Sequence, residues 1–111
     1  MGNNNKETLY QFAKNSVRSH LQKGKKNALT RSDLRDITGF SDRANRNMIE
    51  DLRKEGLPII STSSSKGYWL PETKDELSHY INEFRSRARE CNMMAARAEN
   101  YLNEHANELE D

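Results

Sequence analysis

Residues 30–56 read TRSDLRDITGFSDRANRNMIEDLRKEG, and this stretch predicts two helices joined by a short turn. Thr30 stands three residues before Asp33, a spacing typical of an N-cap whose partner reaches back to it. The first helix is predicted to end at Gly39, where glycine permits a positive φ, and Ser41 to cap the second. A short helix, a glycine-containing turn and a longer helix with a polar outer face form a helix-turn-helix pattern.

The flanking segments predict a helix before this unit and a hairpin after it. Apolar residues at helical spacing indicate an N-terminal helix with one apolar face, formed by Leu9, Phe12, Ala13, Val17 and Leu21. Residues 56–71, GLPIISTSSSKGYWLP, place two β-prone runs around a serine-rich connector of hairpin-loop length. Because two strands alone are unstable in water, we expect Ile60 and Trp69 to pack on the helices, with Trp69 as the anchor.

The C-terminal segment predicts one long helix with a heptad repeat. Thr73 stands three residues before Glu76, which is the spacing of a capping box, and no Gly or Pro follows Pro71. A helix reaching the C-terminus would be roughly 55 Å long at 1.5 Å per residue, and such a helix needs a partner. The residues predicted to form the dimerisation seam are Leu77, Ile81, Phe84, Ala88, Cys91, Ala95, Ala98 and Leu102.

Charge along this helix favours an antiparallel homodimer. Arginines at 85, 87 and 89 occupy one end, and acidic residues from Glu99 to Asp111 occupy the other. A parallel pair would align like charges, whereas an antiparallel pair would set the arginine end beside the acidic end. The alternative is that the first half of the helix packs on its own domain and the acidic end frays.

Composition bounds the class of protein. The 111 residues suit one domain with an appendage, since only 33% are apolar and 32% are charged. Residues 1–71 carry 13 Lys and Arg against 7 Asp and Glu, while residues 72–111 carry 5 against 10. This basic front and acidic tail suggest different partners for the two halves, or else two solvated surfaces. We expect no membrane span, because no long apolar run occurs, and a reduced, cytoplasmic setting, because the chain has a single cysteine.

Chemistry-bearing motifs are not apparent. The three histidines lack a metal-ligand spacing with Cys91, and we find neither a glycine-rich phosphate loop nor a nucleophile elbow. At a seam position Cys91 reads as a small core residue rather than a nucleophile. We therefore predict a protein that is not an enzyme and that has no metal and no cofactor.

The stretch from Ile37 to Ile81 resembles small winged-helix DNA-binding proteins of phages and prophages, especially those of Gram-positive bacteria. The resemblance covers roughly residues 28–90, over half of the chain. It implies a mainly α fold with one β-hairpin: a winged helix-turn-helix DNA-binding domain over 1–71, then a long C-terminal dimerisation helix over 72–111. The matching residues are Gly39, Ser41, Asp42, Arg43, Arg46, Ile49, Leu52, Arg53, Pro58, Ile59, Gly67, Tyr68, Trp69 and Arg87-Ala88-Arg89.

One position departs from the family pattern. Asn45 stands where the family usually has an apolar residue. This asparagine would either weaken packing at the start of the third helix or free its side chain for a base.

Candidate DNA contacts follow from side-chain chemistry. Arginine can bond a guanine bidentately and asparagine an adenine, and such residues occupy the first turns of the third helix. A basic patch before the second helix and the wing tip would reach phosphates. The alternative for Arg43 and Arg46 is a surface ion pair with Glu50 or Asp42. The predicted DNA-binding residues are Ser41, Arg43, Asn45, Arg46, Asn47, Glu50, Ser65, Lys66, Lys25 and Lys26.

Together these features predict a homodimer that binds double-stranded DNA sequence-specifically in the cytoplasm of a bacterial host. Such a protein would regulate transcription or replication for a phage or mobile element. The alternative is a protein-interaction module, a phage inhibitor whose winged helix and acidic tail engage a host protein.

Overall fold

The computed structural model describes residues 2–62 and 67–111, and the fold is mainly helical. The four α-helices are α1 (Gly2–His20), α2 (Arg31–Thr38), α3 (Asp42–Lys54) and α4 (Lys74–His105). Short 3-10 helices span Lys25–Asn27 and Ala106–Glu108. The chain divides into two compact units, Met1–Leu77 and Ser78–Asp111.

Local hydrogen bonds set the ends of α2 and α3 as predicted. The Thr30 hydroxyl accepts from the Asp33 N–H at 3.0 Å, and the Asp33 carboxylate accepts from the Thr30 N–H at 2.9 Å, so the capping box is complete. Gly39 ends α2 in the left-handed conformation with φ 72°. The Ser41 hydroxyl then accepts from the Ala44 N–H at 3.2 Å and starts α3. The turn between the two helices therefore consists of the C-cap Gly39, Phe40 and the N-cap Ser41.

The core of the first unit lies where α1, α2 and α3 meet. Its buried side chains are Ala13, Val17 and Leu21 of α1, Leu34 of α2, Met48, Ile49 and Leu52 of α3, and Ile59. The predicted apolar face of α1 is only partly correct, because Leu9 and Phe12 are 61% and 73% exposed. The face that packs runs instead through Tyr10, Ala13 and Val17.

Polar contacts also tie α1 to the end of α3. The Tyr10 hydroxyl donates to the Asp51 carboxylate at 2.6 Å. Lys14 and Arg18 both pair with Glu55, just after α3, and these cations lower the pKa of the Glu55 carboxyl. Burial, reinforced by the bond to Asp51, raises the pKa of Tyr10 to about 12. A row of apolar contacts and a row of polar contacts therefore hold α1 against α3.

The predicted β-hairpin, and with it the winged helix-turn-helix fold class, is wrong. No β-strand forms within residues 2–62 and 67–111, where three isolated bridges replace it: Lys23 with Leu70, Leu29 with Tyr68, and Ile60 with Trp69. The reason is that the backbone of residues 68–70 divides its hydrogen bonds. Trp69 bonds Ile60 in both directions, whereas Tyr68 turns to Leu29 on the α1–α2 connection. The pairing of Ile60 with Trp69 therefore does not extend beyond this single residue pair.

Close packing still holds residues 67–70 against the rest of the first unit. The expected burial of Trp69 is confirmed, since its side chain is only 4% exposed. A Cβ placed on Gly67 would lie 2.8 Å from the Leu29 carbonyl oxygen and 2.9 Å from the Ala28 Cβ, so only glycine fits. The predicted tip, residues 63–66, lies outside the described residues.

Helix α4 begins as predicted and ends earlier. The Thr73 hydroxyl accepts from the Glu76 N–H at 3.1 Å, but the Glu76 carboxylate accepts from the Glu72 N–H rather than from Thr73. The 32 residues of α4 would span about 48 Å, and none of them is buried. The helix stops at His105, whose Nδ1 lies 2.8 Å from the Glu108 carboxylate, so the predicted continuation to the C-terminus is wrong.

We predict that Tyr10→Phe lowers the free energy of unfolding by about 1–2 kcal/mol, somewhat less than the roughly 1.5–3 kcal/mol of a bond to a charged group, because both partners are partly solvated. Urea unfolding at pH 7 measures this loss. The bond stabilises fully below pH 10, the ordinary pKa of tyrosine, and its contribution disappears as the pH rises towards 12. The difference between wild type and Tyr10→Phe should therefore shrink over that window. Tyr101→Phe, an exposed change in the second unit, should leave stability within about 0.5 kcal/mol.

Candidate nucleic-acid interface

One face of α3 is polar and exposed, and we call it the α3 face. Its four residues follow helical spacing and point away from the core: Arg43, Arg46, Asn47 and Glu50. The opposite side of the helix is anchored by Met48, Ile49 and Leu52, each buried. The apolar contacts therefore determine which side chains α3 presents to solvent.

Ion pairs engage part of the α3 face. Arg46 Nε lies 3.3 Å from Asp42, and Arg31 Nε at the start of α2 lies 3.7 Å from the same carboxylate. Glu50 pairs with Arg53 at 2.6 Å rather than with an arginine of the face. Arg43 makes no ion pair with any described residue. The ion-pair alternative therefore holds for Arg46, while Arg43 stays available.

Asn45 does not belong to the α3 face. It is 2% exposed, and its amide lies inside the turn between α2 and α3. The Thr38 hydroxyl donates to Asn45 Oδ1 at 2.7 Å, and Asn45 Nδ2 donates to the Phe40 carbonyl at 3.3 Å. The Thr38 hydroxyl also accepts from the Phe40 N–H at 3.0 Å. The two readings of this asparagine, weaker packing or a free base-reading side chain, are both replaced by a third: it fastens the turn.

The remaining predicted contacts lie at separate places. Ser41 is exposed at the N-terminus of α3, beside N–H groups that a helix start leaves without intrahelical partners. Lys25 and Lys26 are exposed on the 3-10 turn that follows Gly24, on the connection from α1 to α2. Ser65 and Lys66 lie outside the described residues. The structure thus places Arg43, Arg46, Asn47 and Glu50 on α3, with Ser41 as its N-cap. It places Lys25 and Lys26 on the connection between α1 and α2.

Two arginines escaped the sequence analysis as site residues. Arg31 shares Asp42 with Arg46 and adds a cation beside the start of α3. Arg53 donates from Nε to the Ile59 carbonyl at 2.9 Å and also reaches Ser61 and Glu50, so it fixes the segment after α3. Neither role has a local sequence signal, because each depends on a partner brought close by the fold.

The predicted dimerisation seam is uncovered in the single chain. Ile81, Phe84 and Leu102 are 40%, 43% and 52% exposed, and the small seam residues Ala88, Cys91, Ala95 and Ala98 are exposed as well. Leu77 is half-buried and is the last residue of the first unit.

No family model, no curated protein and no solved structure matches this chain. Among residues 2–62 and 67–111, no group of three or more His, Cys, Asp and Glu side chains is placed to hold a metal ion. No described helix is both long and apolar enough to cross a membrane.

We predict that Asn45→Ala lowers the free energy of unfolding by about 1–3 kcal/mol, because it leaves the partly buried Phe40 carbonyl without its amide donor. The Thr38 hydroxyl keeps the Leu34 carbonyl as an acceptor. Chemical denaturation measures the loss. Asn47→Ala, the same change two residues along on the exposed α3 face, is the matched control and should stay within about 0.5 kcal/mol. Equal effects of the two changes would contradict the role given to Asn45.

Proposed function

We propose that this protein binds double-stranded DNA sequence-specifically as a homodimer and inserts α3 into the major groove. The observation that carries the proposal is the α3 face, where Arg43, Arg46 and Asn47 are exposed within the first two turns of a helix anchored on its other side. Arginine and asparagine are the side chains that best match guanine and adenine edges. The early turns of the second helix read bases in helix-turn-helix proteins.

The ion pair of Arg46 is compatible with this role. Exposed pairs such as Arg46 with Asp42 contribute only about 0–1 kcal/mol, so a phosphate or a guanine can replace the carboxylate. Arg31, on the other side of Asp42, would be released at the same time and add a phosphate contact.

Charge outside α3 supports the same surface chemistry. Residues 1–71 carry a net charge of +6, and Lys25 and Lys26 are exposed on the loop before α2. Such cations release counterions on binding a duplex, which gives affinity with a strong salt dependence. On the resemblance to phage and prophage proteins, the process served would be regulation of transcription or replication of a phage or mobile element.

Selection of bound DNA from a random pool at two salt concentrations tests the proposal. We expect an enriched sequence that survives the higher salt, followed by protection of that sequence in footprinting. Equal binding of selected and random DNA at both salt concentrations would contradict sequence-specific recognition.

Arg43→Ala should weaken binding to the selected sequence by about 5- to 150-fold, the equivalent of about 1–3 kcal/mol for one lost bidentate base contact. Binding to random DNA should fall much less. Gel-shift titration measures both affinities. Arg89→Ala removes another exposed arginine, from α4, and should leave both affinities unchanged. An equal loss for the two variants would reject a specific role for the α3 face.

Asp42→Asn should tighten DNA binding about 2- to 5-fold at low salt, because it removes a carboxylate that competes with phosphates for Arg46 and Arg31. The gain should shrink as salt is added, since added ions screen the same charges. Asp36→Asn, an exposed change on α2, is the matched control. If Asp42→Asn instead lowers both the DNA affinity and the free energy of unfolding, the carboxylate stabilises α3 and does not oppose DNA binding.

A further inference from the structure

The side chains of the α4 seam differ in size along the helix, and this order of sizes is independent of the charge pattern. The large members of the seam stand at the beginning, at Ile81 and Phe84, and small members follow from Ala88 to Ala98 before Leu102. All of these side chains are exposed in the single chain. We infer that a second copy of α4 covers the seam antiparallel in one register, with Phe84 against Ala95 of the second copy. The inference rests on the proposed homodimer and specifies how its copies pair.

A parallel pair fits these sizes poorly. In a parallel two-stranded coil each seam residue faces its own copy. Phe84 would then face Phe84, and the four positions Ala88, Cys91, Ala95 and Ala98 would form four small layers in succession. Helix separation depends on the side chains at the contact, so the wide Phe84 layer would hold the helices too far apart for the small layers to close. The voids left behind would be destabilising.

An antiparallel pair matches large to small and covers every seam residue in one register. Taking the heptad positions as they stand, Ile81 faces Ala98 of the second copy, Phe84 faces Ala95, and Ala88 faces Cys91. Only the two central layers are then small on both sides. A shift by one heptad would put Phe84 opposite Leu102 and leave four successive small layers. The opposite shift would put Phe84 opposite Ala88 but leave Ala98 and Leu102 with no seam residue to face. Packing that covers all eight seam residues therefore selects the first register.

The charges beside the seam do not choose the register. In the proposed register the arginines at 85, 87 and 89 lie beside residues 90–94 of the second copy, and Glu99 lies beside its second turn. Arg87 has its guanidinium carbon over the Phe84 ring, 5.2 Å from the centre, and so covers one face of that ring. Side-chain size rather than charge therefore selects the register.

Distances between spin labels test both orientation and register. The variants carry Cys91→Ala with either Ser78→Cys or Asn103→Cys, each labelled with a nitroxide and measured as the full chain by pulsed dipolar spectroscopy. At 1.5 Å per residue, the proposed register separates the two copies of position 78 by about 35 Å and those of position 103 by about 40 Å. Circular dichroism and sedimentation of each variant confirm that helix content and mass match those of the wild type.

The other outcomes overturn the inference. A parallel pair would give about 10–15 Å at both positions, close to the separation of neighbouring helices. A register shifted by one heptad in one direction would give about 45 Å at position 78 and about 30 Å at position 103, reversing their order. The opposite shift would give about 25 Å at position 78 and about 50 Å at position 103. A monomeric wild-type chain, with no dipolar coupling in either variant, would reject the pairing altogether.

Substitution of the large seam residue provides a second measurement. Phe84→Ala should weaken self-association at least tenfold in sedimentation equilibrium, because it empties two layers of the symmetric pair. Met93→Ala, an exposed change away from the seam, should leave the constant unchanged. DNA binding is measured separately on the same samples. A chain that pairs as inferred but does not bind DNA rejects only the proposed function, and a monomer that binds DNA rejects only the pairing.

Discussion

The buried amide of Asn45 ties the first turn of α3 to the end of α2 through Thr38 and Phe40. Its oxygen and its nitrogen both have partners, so the turn is specified by a satisfied polar network rather than by apolar contact alone. The core side chains on the far side of α3 fix the rotation of the helix about its own axis. The exposed position of Arg43 depends on both constraints, and so does the proposed contact with DNA.

Sequence was sufficient where the deciding interactions are local. The caps at Thr30 and Ser41 and the left-handed Gly39 involve residues within a few positions, so the limits of α2 and α3 could be predicted. The inward position of Asn45 follows from its helical spacing, since it shares a face with Met48, Ile49 and Leu52. Its polar partners, the Thr38 hydroxyl and the Phe40 carbonyl, could not be predicted, because they depend on how the turn closes. The hairpin failed for a related reason: β propensity marks extended backbone but not its partner, and here Leu29 takes the bonds of Tyr68.

The modest apolar content of the chain is divided between two purposes. Helices α1 to α3 bury a small shared core, whereas α4 buries none of its residues and keeps its apolar members on the seam. Heptad spacing could be predicted from sequence because it repeats, but the exposure of Leu9 and Phe12 on α1 could not. Helical periodicity gives the direction of an apolar stripe, and the width of the stripe that is covered depends on how many neighbours pack against it.

The bridge between Leu29 and Tyr68 has a consequence for the order of folding. Helices α1, α2 and α3 can contact one another once the chain has been made as far as Glu55, although the contacts of α1 with α3 span 41 residues. The bridge closes a loop of similar length but needs Tyr68, so it can form only after these three helices are complete. A nascent chain that has not yet delivered Gly67 and Trp69 would hold its helices without the strap that binds the α1–α2 connection to the end of α3. The first unit therefore reaches its final cooperativity only when the segment leading into α4 has been made.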